Sequence, residues 1–506
     1  MAVHVSQLEV DSQVNGEDTH FLSRASPDSG LPENIRRRLV FTLVAILLAF
    51  EVGAQMIPGP MVRIIESIAC TSYWRAHNPS EVPTLHHLPE QLCKIEEVQA
   101  EVATVKGYSD FLEGLLCALC AIPYGLLADR HGRRRALRLT IPGFLINSVI
   151  TNSVLWFSDS LPLRAIWLAA FSWIIGGGPT VALVVIWTML ADLSQSANRA
   201  ILFFRVGVIS QIANFLASAI SSGLMTLNPW IPLMIGCGTV VIGLICALSL
   251  PETIDSCVKT TCPMDSDQLS SNMDDSTLGT EAVYSATESF PKSTRFGLIS
   301  GNLRRIFHPY IFIVNHRLLL LLFAIATFQI AQGSLSFLAQ YISTHFEWTL
   351  ARANLLTSIH AATSIPLFIF ILPQLSTRIL RFLPLPRRDL YISRLSVICL
   401  TVGSLGICVS PYVFLLVPSL CLHAAGAGFP IVTRSLITSL VKRDETARLY
   451  SAIELAQSAG SVLASLCFTN LFTLALRMSG LWVGLVWLTA SMLFAGVGVA
   501  VWMVQV

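Results

Sequence analysis

Runs of about 20 apolar residues recur twelve times in this chain of 506 residues, and they constrain its fold more than any other feature. They lie near 38–58, 107–128, 137–157, 163–188, 202–224 and 230–250, then near 315–341, 351–373, 390–409, 412–436, 449–475 and 481–503. A mean hydropathy of +0.65, with 53% hydrophobic and 13% charged residues, exceeds what one aqueous core absorbs. A bilayer interior holds no water, so backbone groups there must bond within their own segment, which makes the runs helices rather than strands. The expected fold is an all-α integral membrane protein with 12 transmembrane helices in two pseudo-symmetric six-helix bundles.

The polar stretches divide the chain. Residues 1–35 read as a disordered cytosolic tail, with no secretory leader in the polar first 33 residues. Residues 36–252 and 313–506 read as the two bundles, joined by a Ser-, Thr- and Asp-rich cytosolic linker over 253–312. Lys and Arg set the orientation, because cytosolic loops retain positive charge. With both termini cytosolic, 26 of the 33 Lys and Arg fall on the cytosolic face and seven on the other: Arg63, Arg75, Lys94, Lys106, Arg164, Arg352 and Arg477. A plasma-membrane protein is expected, monomeric and surrounded by lipid.

Most cysteines sit inside apolar runs and behave as small hydrophobes, the Cys117–Cys120 pair included. Cys70 and Cys93 border or lie in the first loop, where an extracytosolic position would permit a disulfide. No G-x-x-x-x-G-K-[ST] loop, H-E-x-x-H, G-x-S-x-G set or Cys/His cluster occurs, so neither an enzyme nor an ATP-driven pump is expected, and no metal, cofactor or nucleic acid.

Displacing the chain by about 250 residues against itself aligns Gly176-Gly177-Gly178-Pro179 with Gly426-Ala427-Gly428-Phe429-Pro430, and Asn198-Arg199-Ala200 with Thr446-Ala447-Arg448. Arg205 then falls on Glu454. Such a repeat suits a machine whose halves move against each other.

Between the second and third runs stands Gly125-Leu126-Leu127-Ala128-Asp129-Arg130-His131-Gly132-Arg133-Arg134-Arg135. It resembles the G-x-L-A-D-R-x-G-R-[RK]-[RK] signature of the major facilitator superfamily and meets every fixed position. Gly125 is expected at a close helix contact and Gly132 at the turn; Arg130, Arg133 and Arg134 suit the phosphate level of the inner leaflet, at about 1 kcal/mol each. The resemblance implies that Asp129 faces the N-terminal end of span 11 while the cytosolic gate is closed, as a latch with Arg130 or Arg133. Asp444 and Glu445, just before that span, compete for the same helix end. Softer matches, in Gly107-Tyr108-Ser109-Asp110, Ala191-Asp192-Leu193-Ser194 and Pro251-Glu252-Thr253, resemble a fungal branch whose members are often exporters of secondary metabolites.

Ionisable groups in a span cost roughly 2.5–3.5 kcal/mol and require a reason. Glu51, about 20 Å along span 1, is the candidate for proton coupling, with Gln55 one turn on. A fixed salt bridge or a structural acid is the alternative. Arg205 and Glu454 are inner-gate candidates, snorkelling being the simpler explanation for Arg205, and for Arg394 and Arg434 a sufficient one. Gln211 with Asn214, and Gln329 with Gln332, present amides at i,i+3; with Gln55 and His423 they are the substrate-lining candidates, suited to a neutral or multifunctional organic compound. Interhelical bonding explains the amides equally well, and packing explains the histidine. Asp110, Glu113 and Glu66 read as interfacial acids.

The expectation is a secondary carrier working by alternating access, exporting a small hydrophobic compound in exchange for protons. Nutrient uptake by symport and a non-transporting sensor are the alternatives.

Overall fold

The structure, a computed structural model, describes residues 33–77, 89–193, 199–250, 315–371, 374–375, 382–441, 446–478 and 480–504. The linker and nearly all of the amino-terminal tail lie outside them, as do Asp444 and Glu445 and the side chains of Asp129, Arg130 and Arg205. Among the described residues there is no strand, and eleven stretches are long and apolar enough to cross a bilayer. The helix Glu96–His131 takes the place of the second expected span.

The first half comprises α1 (Glu33–Met56), α2 (Pro58–His77), α3 (Glu96–His131), α4 (Arg133–Trp156), a 3₁₀ segment Leu163–Ile174 continued by α5 (Gly178–Leu193), α6 (Arg199–Met225) and α7 (Trp230–Leu248). The second comprises α8 (His316–Gln332), α9 (Leu338–His345), α10 (Leu350–Pro366), α11 (Leu385–Val409), α12 (Val413–Ala425), α13 (Phe429–Ser439), α14 (Thr446–Met478) and α15 (Leu485–Met503). The first expected span ended too early. Pro58 interrupts the helix at Ile57 because it cannot donate a backbone bond, and α2 then carries the run on to His77. Glu66 is therefore on a helix that reaches well past the apolar run.

Two ends can be distinguished. The basic end carries Arg36–Arg38 and the α3–α4 turn, and the opposite end carries a disulfide joining Cys70 on α2 to Cys93, with Cα atoms 5.2 Å apart. In each half the first and last helices pack together, α1 on α7 and α8 on α15. Two seams join the halves, α3 against α14 and α6 against α10. At the first seam Gly107 touches Thr469 so closely that a Cβ would overlap the threonine side chain. The outward surface carries exposed Phe41, Val149, Phe171, Ile242, Phe323, Phe414, Leu455 and Met492. Apolar exposure on this scale would drive association in water and costs nothing against lipid.

The repeat visible in the sequence has a structural counterpart. The tenth span breaks between α12 and α13 at Gly426–Gly428, and the fourth breaks at Gly176, Gly177 and Gly178, whose φ angles are +93°, +77° and +71°. Three consecutive residues in that region are accessible to glycine and strained for other residues. Arg138 Nη2 on α4 donates to Leu248 O at the end of α7 (2.8 Å), and Arg394 Nη2 on α11 donates to Val504 O just past α15 (3.1 Å). Both arginines satisfy orphan carbonyls at helix C-termini, where positive charge is favourable. Arg394 is thus fixed by hydrogen bonds to a neighbouring helix end, and snorkelling is no longer the account of it.

Candidate functional site

Inside the first half, roofed by the beginning of the second, lies a cavity of about 640 Å³. Its walls come from α1 and α2, α3, α4, the broken fourth span and α7, with Leu335, Ser336, Ala339 and Gln340 and then Leu350, Asn354 and Thr357 closing it from the other half. Glu51 and Gln55 stand in the wall, and the Asn214 side chain on α6 lies beside the Glu51 carboxyl. Burial of an acid at this depth is costly unless it is served by polar partners or by exchange with a proton.

α3 supplies the other charges. Lys106 and Asp110, one turn apart, form an ion pair at the cavity edge, with the Lys106 ammonium 5.6 Å from the Phe337 ring centre. Glu113 faces inward beside Asn147 of α4 and the Trp173 indole of the fourth span. An aromatic wall runs past it: Phe50 and Phe144 have centroids 5.3 Å apart, and Phe144 and Trp173 meet edge to face at 5.0 Å. Asp110 and Glu113 are therefore not interfacial acids. The sequence carried the signal in Lys106, Asp110 and Glu113 at helical spacing, which places all three on one stripe of α3.

Above the cavity, at the disulfide end, a buried network joins the halves. Glu66, fully buried, accepts from Lys94 Nζ at 2.7 Å, Gln99 Nε2 at 2.6 Å and Arg63 Nη1 at 3.0 Å. Glu90 accepts from Lys94 Nζ at 3.1 Å and from the backbone N–H of Leu350 at 2.6 Å, and forms an ion pair with Arg63, whose Nε is 3.3 Å away. Leu350 opens α10, so the Glu90 anion sits at a helix N-terminus in the opposite half, a favourable position for negative charge. Lys94 Nζ also donates to Ser343 Oγ (2.6 Å) and Gln340 Nε2 to the Gln99 carbonyl (3.0 Å). Asn354 with Ser222, and Ser358 with Ser218, extend the join along the α6–α10 seam at 2.8 and 2.9 Å. Two acids and two bases are paired reciprocally, which is what makes burial of four charges tolerable. The Cys70–Cys93 disulfide ties the short turn bearing Glu90, with Lys94 just after it, to the helix bearing Arg63 and Glu66. Sequence reading placed Glu66 at a wetted interface, whereas its partners arrive from the first loop and from α3.

Other expected residues lie elsewhere. Gln211, Asn214, Gln329, Gln332 and His423 are not in the cavity wall, although Asn214 stands beside Glu51, which is. The seventh span changes at Gln332 into a 3₁₀ turn, Gly333–Phe337, so its contribution to the wall comes from residues beyond the two glutamines. Gln329 instead packs on Gly460 of α14. His423, 1% exposed, hydrogen-bonds His360 at 3.1 Å and lies edge-on to Trp487, inside the second half. Glu454 pairs with Arg434 at 2.6 Å, and Gln457 receives a second bond from the same guanidinium, so Glu454 has a partner within its own half. Arg434 in turn is a paired residue and needs no snorkelling. At the basic end Gly132 has φ +99° and divides α3 from α4, the turn expected of it. Among the described residues a Cβ on Gly125 would meet nothing within 4 Å, so no close contact with them requires that glycine. Arg133 Nη1 donates to Thr188 O near the end of α5 at 2.8 Å, and Arg134 lies in the first turn of α4.

The comparisons with known proteins agree with this architecture. The family model described as Major Facilitator Superfamily matches residues 103–465. The chain is 40% identical over 490 residues to the MFS-type transporter aprT of Aspergillus flavus, covering 95% of this chain and 92% of that protein. It is 29% identical to the MFS efflux pump atnC of Emericella nidulans, covering 97% and 94%. Among solved structures, a D-xylose–proton symporter superposes with a TM-score of 0.57 at 12% identity, over 90% of this chain and 96% of that one. A bacterial homologue of the iron transporter ferroportin in its inward-facing state does so at 0.56 and 11%, over 91% and 99%. At such identities the solved structures establish the shared fold alone. With the six-plus-six helices, the repeat and the complete signature between α3 and α4, the match assigns this chain to the Major Facilitator Superfamily.

Proposed function

We propose that the chain is a secondary carrier that exports a small organic compound, of the kind fungi make as secondary metabolites, in exchange for protons. The observation that carries this reading is the cavity of about 640 Å³ with Glu51 in its wall. It has the size of a small-ligand site, and at the disulfide end it is shut by a lock made from both halves. The naming of relatives such as atnC as efflux pumps supports the outward direction. In this reading the basic end and both termini face the cytosol, the disulfide end faces outside the plasma membrane, and the carrier acts as a monomer. Glu51 holds the exchangeable proton. Asp129, beside Arg130 and Arg133, latches the cytosolic side when the lock is released, with α14 as the receiving helix.

Direction is tested in yeast stripped of its own exporters. Cells expressing the chain are exposed to a library of fungal small organic compounds, and expression should lower the intracellular level of at least one. A rise instead would assign uptake.

A further inference from the structure

The export reading leaves the chemistry of the cargo open, and the cavity wall narrows it. The charged side chains that line it are Glu51, Lys106, Asp110 and Glu113. Lys106 is consumed by its ion pair with Asp110. Glu51 and Glu113 remain; the Lys106–Asp110 pair acts on Glu113 from one turn away, the other groups beside the two acids are amides and an indole, and among the described residues of the wall no further cation is left for either.

The neutral polar atoms lean the same way. Asn152 Oδ1 and Gln340 Oε1 are buried acceptors in the wall with no hydrogen-bond partner among the described residues. Both invite a donor. Among the buried side-chain atoms of the described wall residues, the Trp173 N–H, which stands against Glu113 without reaching full hydrogen-bond geometry, is the one unmatched donor. Phe50, Phe144 and Trp173 present a continuous aromatic surface beside Glu113. Aromatic faces attract cations, most strongly where water is excluded. A wall with surplus anions, surplus acceptors and π faces disfavours an anionic cargo and matches a cationic one.

We infer that the cavity selects organic cations, compounds with an apolar or aromatic body and a positively charged group, a protonated amine being the natural form. This replaces the neutral cargo that the amides alone suggested. It rests on the cavity being the cargo site, and it assigns Glu113 as a specificity-determining residue that the signature motif does not include. The charge would seat between Glu51 and Glu113, with the body along the aromatic wall.

The test uses two ions of nearly the same shape and opposite charge, tetraphenylphosphonium and tetraphenylborate, in equilibrium binding to the purified full-length protein in nonionic detergent. Saturable binding of the cation is expected, with the anion at least 10-fold weaker. Glu113→Gln and Glu51→Gln should each weaken cation binding about 10-fold, and Arg164→Gln, which removes a surface pair with Glu101, should leave it unchanged. Equal binding of the two ions by the unaltered protein overturns the inference. So does full cation affinity in a folded Glu51→Gln/Glu113→Gln double variant. No gradient is imposed, so failure here leaves the export reading standing, and failure of export leaves the charge selectivity standing.

Discussion

Lys94 ties both acids of the lock to the opposite half. Its ammonium bridges Glu66 and Glu90 in its own half and Ser343 in the other, and it is nearly buried. Removing one member of a buried pair leaves uncompensated charge, at about 3 kcal/mol. Lys94→Met should therefore disfavour the state closed at the disulfide end and shift the population toward one open there. Spin labels at Leu161 and Tyr412, exposed residues of the two halves at that end, should report a longer distance in the variant; an unchanged distance distribution would remove Lys94 from the gate. Much of this was invisible in the sequence. Glu51 was legible because a lone acid inside an apolar run is conspicuous at any depth. Glu66 and Lys94 were not, since their meaning depends on a short 3₁₀ turn, a disulfide and the start of α10 arriving together from positions up to 284 residues apart.

At the scale of elements, apolar run length gave the helices well and their interruptions poorly. The α1–α2 kink at Pro58 and the 3₁₀ turn after Gln332 both moved side chains off the faces expected of a straight helix. That is why Gln329 and Gln332 miss the cavity and Gln340 lines it. The α3–α4 turn separates the two signature glycines by their physical demands. Gly132→Ala places a side chain at φ +99°, at a cost of roughly 1–2 kcal/mol. Gly125→Ala meets no described residue within 4 Å and, within a helix, should gain up to about 1 kcal/mol from helix propensity. Thermal denaturation of the purified variants should thus show a lower midpoint for Gly132→Ala and no loss for Gly125→Ala. Equal losses would mean that Gly125 has a contact this arrangement lacks. The repeated breaks at Gly176–Gly178 and Gly426–Gly428 were readable as a sequence repeat, but their conformations differ: only the first is built from positive φ angles. Self-similarity in sequence therefore located the break without specifying its backbone.

For the whole molecule, two six-helix halves meet along α3–α14 and α6–α10, and among the described residues the polar bonds between them are concentrated at the disulfide end. Halves joined by a small, hydrogen-bonded lock can separate there without unpacking their own cores, which lie largely within each half. Alternating access follows if the lock and the signature turn at the basic end close in alternation. Coupling then requires one group in the cavity to exchange a proton with each side in turn, and Glu51 is the residue we propose for it. The decisive measurement is uphill transport in proteoliposomes, with an organic compound whose export was detected in cells. Acidifying the compartment at the disulfide end should drive the compound into it against its gradient. A protonophore should abolish this, and Glu51→Gln should lose uphill movement while retaining downhill exchange. Undiminished uphill accumulation in Glu51→Gln would contradict the assignment of Glu51 as the coupling residue.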